Sequence, residues 1–195
     1  MIIRKKLRPA AVLTIILLFL SASWSLAEME EAQLWEKLRS GNHFAMVRHA
    51  LAPGFGDPDT FIIGKCETQR NLSPKGREQA RHIGDIFRKN GISQAKIYSS
   101  QWCRCLDTAK LMSLGDVKEL PVLNSFFENY ANETPQTKAL TEWLNRQDLR
   151  PITILVSHQV NITAFTNVYP DSGEIVIVSK GKDGNFITVG TIFYP

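Results

Sequence analysis

Ile152-Thr153-Ile154-Leu155-Val156-Ser157-His158-Gln159 is the stretch on which the reading of the fold turns. Ile152 to Val156 is a short apolar run with no polar alternation. That is the pattern of a strand covered on both faces, as in the middle of a parallel sheet. It ends in Ser-His-Gln, and Val160 to Thr166 continues as a helix. Working outward, the same order recurs. His43 to Val47 is a buried strand, and Lys96 to Tyr98 and Val117 to Leu120 are shorter strands. Helices are expected over Glu30–Arg39, from Ser73-Pro74 to Asn90-Gly91, over Gln101–Met112 and over Thr134–Gln147. Ser73 caps the second of these, Pro74 opens it, and Ala80, Ile83, Gly84 and Phe87 recur at helical spacing. Glu174–Ser179 and Phe186–Phe193 are joined by Gly181-Lys182-Asp183-Gly184, a hairpin turn. The alternation predicts an α/β fold. It should be a three-layer sandwich whose mainly parallel sheet is flanked by helices and carries an antiparallel C-terminal hairpin.

The first residues read differently. Arg4, Lys5, Lys6 and Arg8 precede an apolar run from Ala10 to Leu20, and Ser25-Leu26-Ala27 puts small residues where a signal peptidase reads. This order predicts a signal peptide over 1–27 and a single domain over 28–195. The apolar run is short of the roughly 20 residues a membrane span needs. A periplasmic or secreted location follows, with no stable membrane anchor after cleavage. The net charge of +4 comes from 23 basic and 19 acidic residues, and the four basic residues of this segment supply the whole excess. Residues 28–195 are near neutral, which argues against a nucleic-acid partner. Cys66, Cys103 and Cys105 give an odd count. In an oxidising compartment that predicts one disulfide, from Cys66 to Cys103 or Cys105, and one free thiol. No Cys/His spacing suits zinc, so no metal or other cofactor is expected.

Chemistry concentrates at strand ends. The first strand runs into Val47-Arg48-His49-Ala50, the strand at Ile97 leads through Ser99-Ser100 to Arg104, and the strand at Ile152 ends in His158. Ligands of open α/β sheets bind at the carboxyl ends of the strands. Two Arg and two His converging there suit a phosphoryl group: guanidinium matches phosphate oxygens, and a neutral imidazole can attack phosphorus. The segment Ala50 to Leu72 has no clear period and reads as a long functional loop.

As a set, these residues resemble the histidine phosphatase superfamily, which includes phosphoglycerate mutase-like enzymes. Arg48-His49-Ala50 is similar to its Arg-His-Gly signature. Leu72-Ser73 with Gly76 and Gln79-Ala80, Ser99-Ser100 with Arg104 and Thr108-Ala109, and Ser157-His158 are similar to its later motifs. The resemblance implies that His49 is the nucleophile and that Arg48, Arg104 and His158 bind the phosphoryl oxygens. It implies a metal-independent phosphomonoesterase working through phosphohistidine. The closest style is an exported bacterial branch that includes lipopolysaccharide core heptose phosphate phosphatases, which points to a small phosphoester such as a sugar phosphate. A phosphohistidine-protein phosphatase and a non-catalytic anion-binding module are the competing readings. The family's phosphate-binding Ser and Asn shortly after the first motif are not seen; Ala52 and Phe55 stand near there. Gln159 stands where acid phosphatase-like members carry a proton-donating Asp. The general acid is therefore expected elsewhere: at Glu128, in the apolar setting Phe126-Phe127-Glu128, with Asp57, Asp59 and Glu67 in reserve.

Overall fold

Alternation along the first strand shows how the layers are built. The structure, a computed structural model, describes residues 30–194. In β1 (His43–Arg48), Ala45 and Val47 point to one face of the sheet and Phe44 and Met46 to the other, and all four are buried. A strand with both faces buried must lie inside a sheet covered on both sides. The sheet has six strands in the order β3-β2-β4-β1-β5-β6, namely β2 (Lys96–Ser99), β3 (Val117–Glu119), β4 (Thr153–Ser157), β5 (Ile175–Lys180) and β6 (Phe186–Ile192). β3, β2, β4 and β1 pair in parallel, while β5 pairs antiparallel with both β1 and β6. The expected α/β sandwich with an antiparallel C-terminal hairpin is the architecture observed.

One face is covered by helix α1 (residues 30–39), α2 (Pro74–Lys89) and α3 (Cys103–Met112), with Trp35, Phe87 and Met112 in its core. The other face is covered by α4 (Glu133–Asn145) and α5 (Gln159–Thr166), through Leu140, Leu144 and Ile162. The backbones of α2 and α3 cross closely at Gly84. A Cβ there would lie 2.1 Å from the Met112 carbonyl oxygen, so no larger residue fits without moving a helix. Ser73 caps α2 as expected, its hydroxyl accepting from the Gly76 amide at 3.0 Å.

Most boundaries shift from expectation by one or two residues, as at the end of α4, which stops at Asn145 and not Gln147. α3 starts at Cys103, not Gln101, because Gln101 and Trp102 give their amides to Asn124 and Ser100 side chains. The strand predicted over Val117–Leu120 keeps only Val117–Glu119. The segment read as a signal peptide lies outside the described residues, as does the apolar run within it. Among the described residues no helix is long and apolar enough to cross a membrane.

Candidate active site

His49 stands just past the end of β1, where its amide donates to Ser157 of β4 at 2.9 Å. The next amide, of Ala50, donates to the Thr108 hydroxyl of α3, and that of Leu51 to Gln79 Oε1 of α2. Gly76 lets α2 approach this segment: a Cβ there would sit 2.0 Å from the Leu51 carbonyl oxygen. The chain leaving β1 is thus clamped between two helices, and the imidazole is held against a fixed backbone.

That backbone sets the tautomer. His49 Nδ1 lies 2.8 Å from its neighbour's carbonyl, that of Ala50. A carbonyl only accepts, so Nδ1 carries the proton and Nε2 is left with its lone pair. The ring is buried, and its pKa falls well below the usual 6.5, first from burial and then from the charge of Arg104. It is a neutral imidazole with one basic nitrogen, the form that attacks phosphorus.

His158 follows β4 directly, with its ring centroid 5.5 Å from that of His49. Its Nε2 lies 2.9 Å from the Ser100 hydroxyl oxygen, and its Nδ1 lies 3.4 Å from Arg104 Nη2. A guanidinium only donates, so Nδ1 is the acceptor and Nε2–H donates to Ser100. Burial and the charge of Arg104 also hold this ring neutral. Cys105 packs behind it, its sulfur 3.5 Å from His158 Nε2, and burial pushes the thiol up to about 12. It is an inert filler rather than a nucleophile.

Arg48, His49, Arg104 and His158, the four residues assigned to phosphoryl chemistry from sequence, line one pocket of about 180 Å³. Arg48 Nη1 is anchored on the Pro170 carbonyl at 2.9 Å. The Nε–H groups of Arg48 and Arg104 are buried and make no hydrogen bond among the described residues. Buried donors without partners are uncommon in folded proteins, and two of them on one pocket mark where ligand oxygens belong. Gln159 and Val160 bring the N-terminus of α5 to the same pocket, with no side-chain cap on its amides.

The loop contributes more than the sequence reading assigned to it. Arg70 is a third guanidinium on the pocket, donating to the Gly56 and Ala52 carbonyls. Asp57, held in reserve as a proton donor, is instead a carboxylate paired with Arg104. Burial alone would raise its pKa, but the Arg104, Arg70 and Trp102 donors outweigh burial and lower it. It therefore has no proton to give near neutrality. Cys66 pairs with Cys103, with Cα atoms 5.6 Å apart, and Cys105 stays free. Residues two apart on a helix point about 200° apart, so only one of the two cysteines can face the loop. Beside the bridge, Gln69 Oε1 accepts from the Cys103 amide, and Phe61 stacks on Trp102 at 4.8 Å. Arg70 and Asp57 could have been found from the cysteines, since any bridge from Cys66 to this helix brings the loop beside Arg104.

Glu128 also lines the pocket, but the expected apolar burial is not there. The residue is exposed at the rim, while Phe126 is buried and Phe127 packs edge-on against Phe55 at 4.8 Å. Of the reserve carboxylates, Asp59 and Glu67 are exposed and do not line the pocket. Gln159 is turned to Thr163, to which its amide donates at 3.0 Å.

Residues 44–146 match the family model described as histidine phosphatase superfamily (branch 1). The chain belongs to the histidine phosphatase superfamily. The matched span ends before β4, so the place of His158 beside His49 comes from the structure. A comparison with curated protein sequences gives no match. Among solved structures the fold is similar to that of the protein histidine phosphatase SixA complexed with tungstate, at 15% identity and a TM-score of 0.56, covering 77% of this chain and 96% of that one. It is similar to phosphoserine phosphatase from Entamoeba histolytica in complex with 3-phosphoglyceric acid, at 14% identity and a TM-score of 0.58, covering 78% and 97%. A mycobacterial glucosyl-3-phosphoglycerate phosphatase gives 17% identity and a TM-score of 0.51, covering 74% and 93%. At these identities the likeness is one of fold. Within the superfamily, Arg48-His49-Ala50 and Arg104 fall inside the matched span.

Proposed function

We propose that this member of the superfamily is an exported phosphomonoesterase that transfers the phosphoryl group of its substrate to His49 and then to water. The observation that carries this reading is the His49 tautomer: Nδ1–H is spent on the Ala50 carbonyl, and Nε2 is free on a pocket walled by guanidinium groups. In the first step Nε2 attacks phosphorus and the bond to the ester oxygen breaks. The leaving oxygen takes a proton from Glu128, the carboxyl group at the pocket rim. In the second step Glu128 takes a proton from water, which attacks the phosphohistidine and releases phosphate. Arg48 and Arg104 hold the equatorial oxygens and Arg70 adds positive field; His158, whose one N–H goes to Ser100, can join them only with a second proton on Nδ1.

The outer pocket favours an uncharged ring on the alcohol side. Phe55, Phe61, Trp102 and Phe127 line it. Aromatic walls pack on the apolar faces of sugar rings, so a sugar phosphate is the substrate class proposed, in keeping with the resemblance to heptose phosphate phosphatases. Export is supported by the basic and apolar start of the chain and by the Cys66–Cys103 disulfide, a bond of oxidising compartments. Phosphate release from a panel of sugar phosphates, phosphoserine and 3-phosphoglycerate tests the reading. Turnover should be fastest on a sugar phosphate. No release from any of them would end the phosphatase reading, and a preference for the carboxylate-bearing esters would end the sugar assignment.

A further inference from the structure

Asp57 holds Arg104 by one particular edge. Its Oδ1 accepts from Arg104 Nη1 at 2.8 Å and from the Arg70 amide at 3.0 Å. Its Oδ2 accepts from Arg104 Nη2 at 3.0 Å and from Trp102 Nε1 at 2.9 Å. The two side chains are only 4% and 10% exposed. Four donors on one carboxylate make it a fixed part of the wall. It fills the end of the guanidinium formed by Nη1 and Nη2. On the lateral edge the buried Nε–H is unpartnered, and the second Nη2–H makes only a long 3.4 Å contact with His158 Nδ1, which an oxyanion can take over. A planar fork can meet one carboxylate end-on and a second oxyanion side-on. The charges also match. Arg48, Arg70 and Arg104 against Asp57 and Glu128 leave the pocket net positive, the sign that draws a phosphomonoester dianion.

We propose that Asp57 is a positioning residue. It fixes the plane of Arg104 so that the Nε–Nη2 edge faces the phosphoryl site beside His158, and it stays in place when the phosphoryl group binds. This rests on the phosphatase reading. The competing arrangement is a plug, in which the Asp57 carboxylate occupies the anion site and the substrate must expel it.

Tungstate, a phosphate analogue, separates the two in the wild-type protein. Titration followed by nitrogen-15 NMR should move the Arg104 Nε–H resonance and leave the Trp102 indole N–H, bonded to Asp57, nearly unmoved. A large shift of the Trp102 signal would mean that Asp57 has left, and would overturn the proposal. Kinetics give a second line. Asp57→Asn should bind tungstate more weakly, and its kcat should fall on the order of 10²-fold, the scale of a lost or misaligned oxyanion donor. In an Arg104→Ala background the same change should cost less than about twofold, because the pair acts as one unit. Tighter tungstate binding by Asp57→Asn, or equal losses in both backgrounds, would also overturn it. Should Asp57→Asn not fold, the wild-type titration decides alone. A wild type that neither binds tungstate nor releases phosphate would remove the phosphatase reading itself, an outcome distinct from any of these.

Discussion

His49, Arg104 and His158 stand at, or one helical turn beyond, the ends of β1, β2 and β4, and all three are buried. Residues 50–72, which build the other half of the pocket, contain one short 3-10 turn, Cys66–Thr68, and expose Phe55 to 85%. The first half takes its precision from the sheet: neighbouring strands in register bring the histidines together, and one backbone carbonyl and a serine fix their protons. The second half has no ladder to lean on. It is fastened from outside by a disulfide, a buried ion pair and a stacked aromatic pair, all landing on the first turn of α3 or the residue before it. A regular frame can position a nucleophile without covalent help, whereas a loop that must present Arg70 and Asp57 to the same point needs crosslinks.

The comparison predicts that damage to the frame costs chemistry outright. His49→Ala should abolish turnover and also the acid-labile, base-stable phosphoenzyme trapped by rapid quench. Full activity in that variant would break the assignment. Arg48→Ala and Arg104→Ala should each slow kcat/KM by about 10² to 10³, as lost oxyanion donors do. An effect on KM alone would place them in ground-state binding instead.

Changes in the loop half should be selective. Glu128→Gln should lose about 10² in rate on a sugar phosphate, where the leaving group needs a proton, and far less on p-nitrophenyl phosphate. Equal losses would move the role to water. The paired Cys66→Ser, Cys103→Ser variant should keep measurable turnover while losing stability. For a separation of 37 residues the chain-entropy model gives about 4 kcal/mol before strain. A denaturant titration that shows no loss would deny the bridge its fastening role.

The smallest effect concerns protons. Both buried imidazoles have folded pKa values well below 6.5, so between those values and 6.5 the unfolded chain binds more protons. Stability should therefore fall as pH drops below about 6.5 and be flat above it. The Asp57 contribution has the usual carboxylate sense, present above its ordinary value of 3.8 and lost only as pH falls through its lowered folded value. Replacing His158 with Gln should flatten the slope of thermal midpoint against pH between about 7 and 5. An unchanged slope would mean that the ring titrates freely.

Much of this was legible in the chain. The apolar runs at His43–Val47 and Ile152–Val156 specified strands covered on both faces, and a strand buried twice leaves few architectures open. The residues at their ends specified anion chemistry by type. Periodicity could not place residues 50–72, where hydrogen bonds run to side chains and distant backbone rather than along a ladder. So pattern alone does not mark Arg70, reads Asp57 only as a reserve proton donor, and sets Glu128 among apolar neighbours although it is exposed.

By itself the sequence determined the α/β order, the strand-end Arg and His residues and the candidate disulfide, because hydrophobic period and residue chemistry are local properties. The tertiary structure decided which cysteine pairs, because the turn of α3 aims Cys103 outward and Cys105 inward. It also decided which histidine nitrogen is free and which edge of Arg104 is open. Both depend on partners far along the chain or on the path of the backbone, and a hydrogen bond exists only where distance and direction are met together.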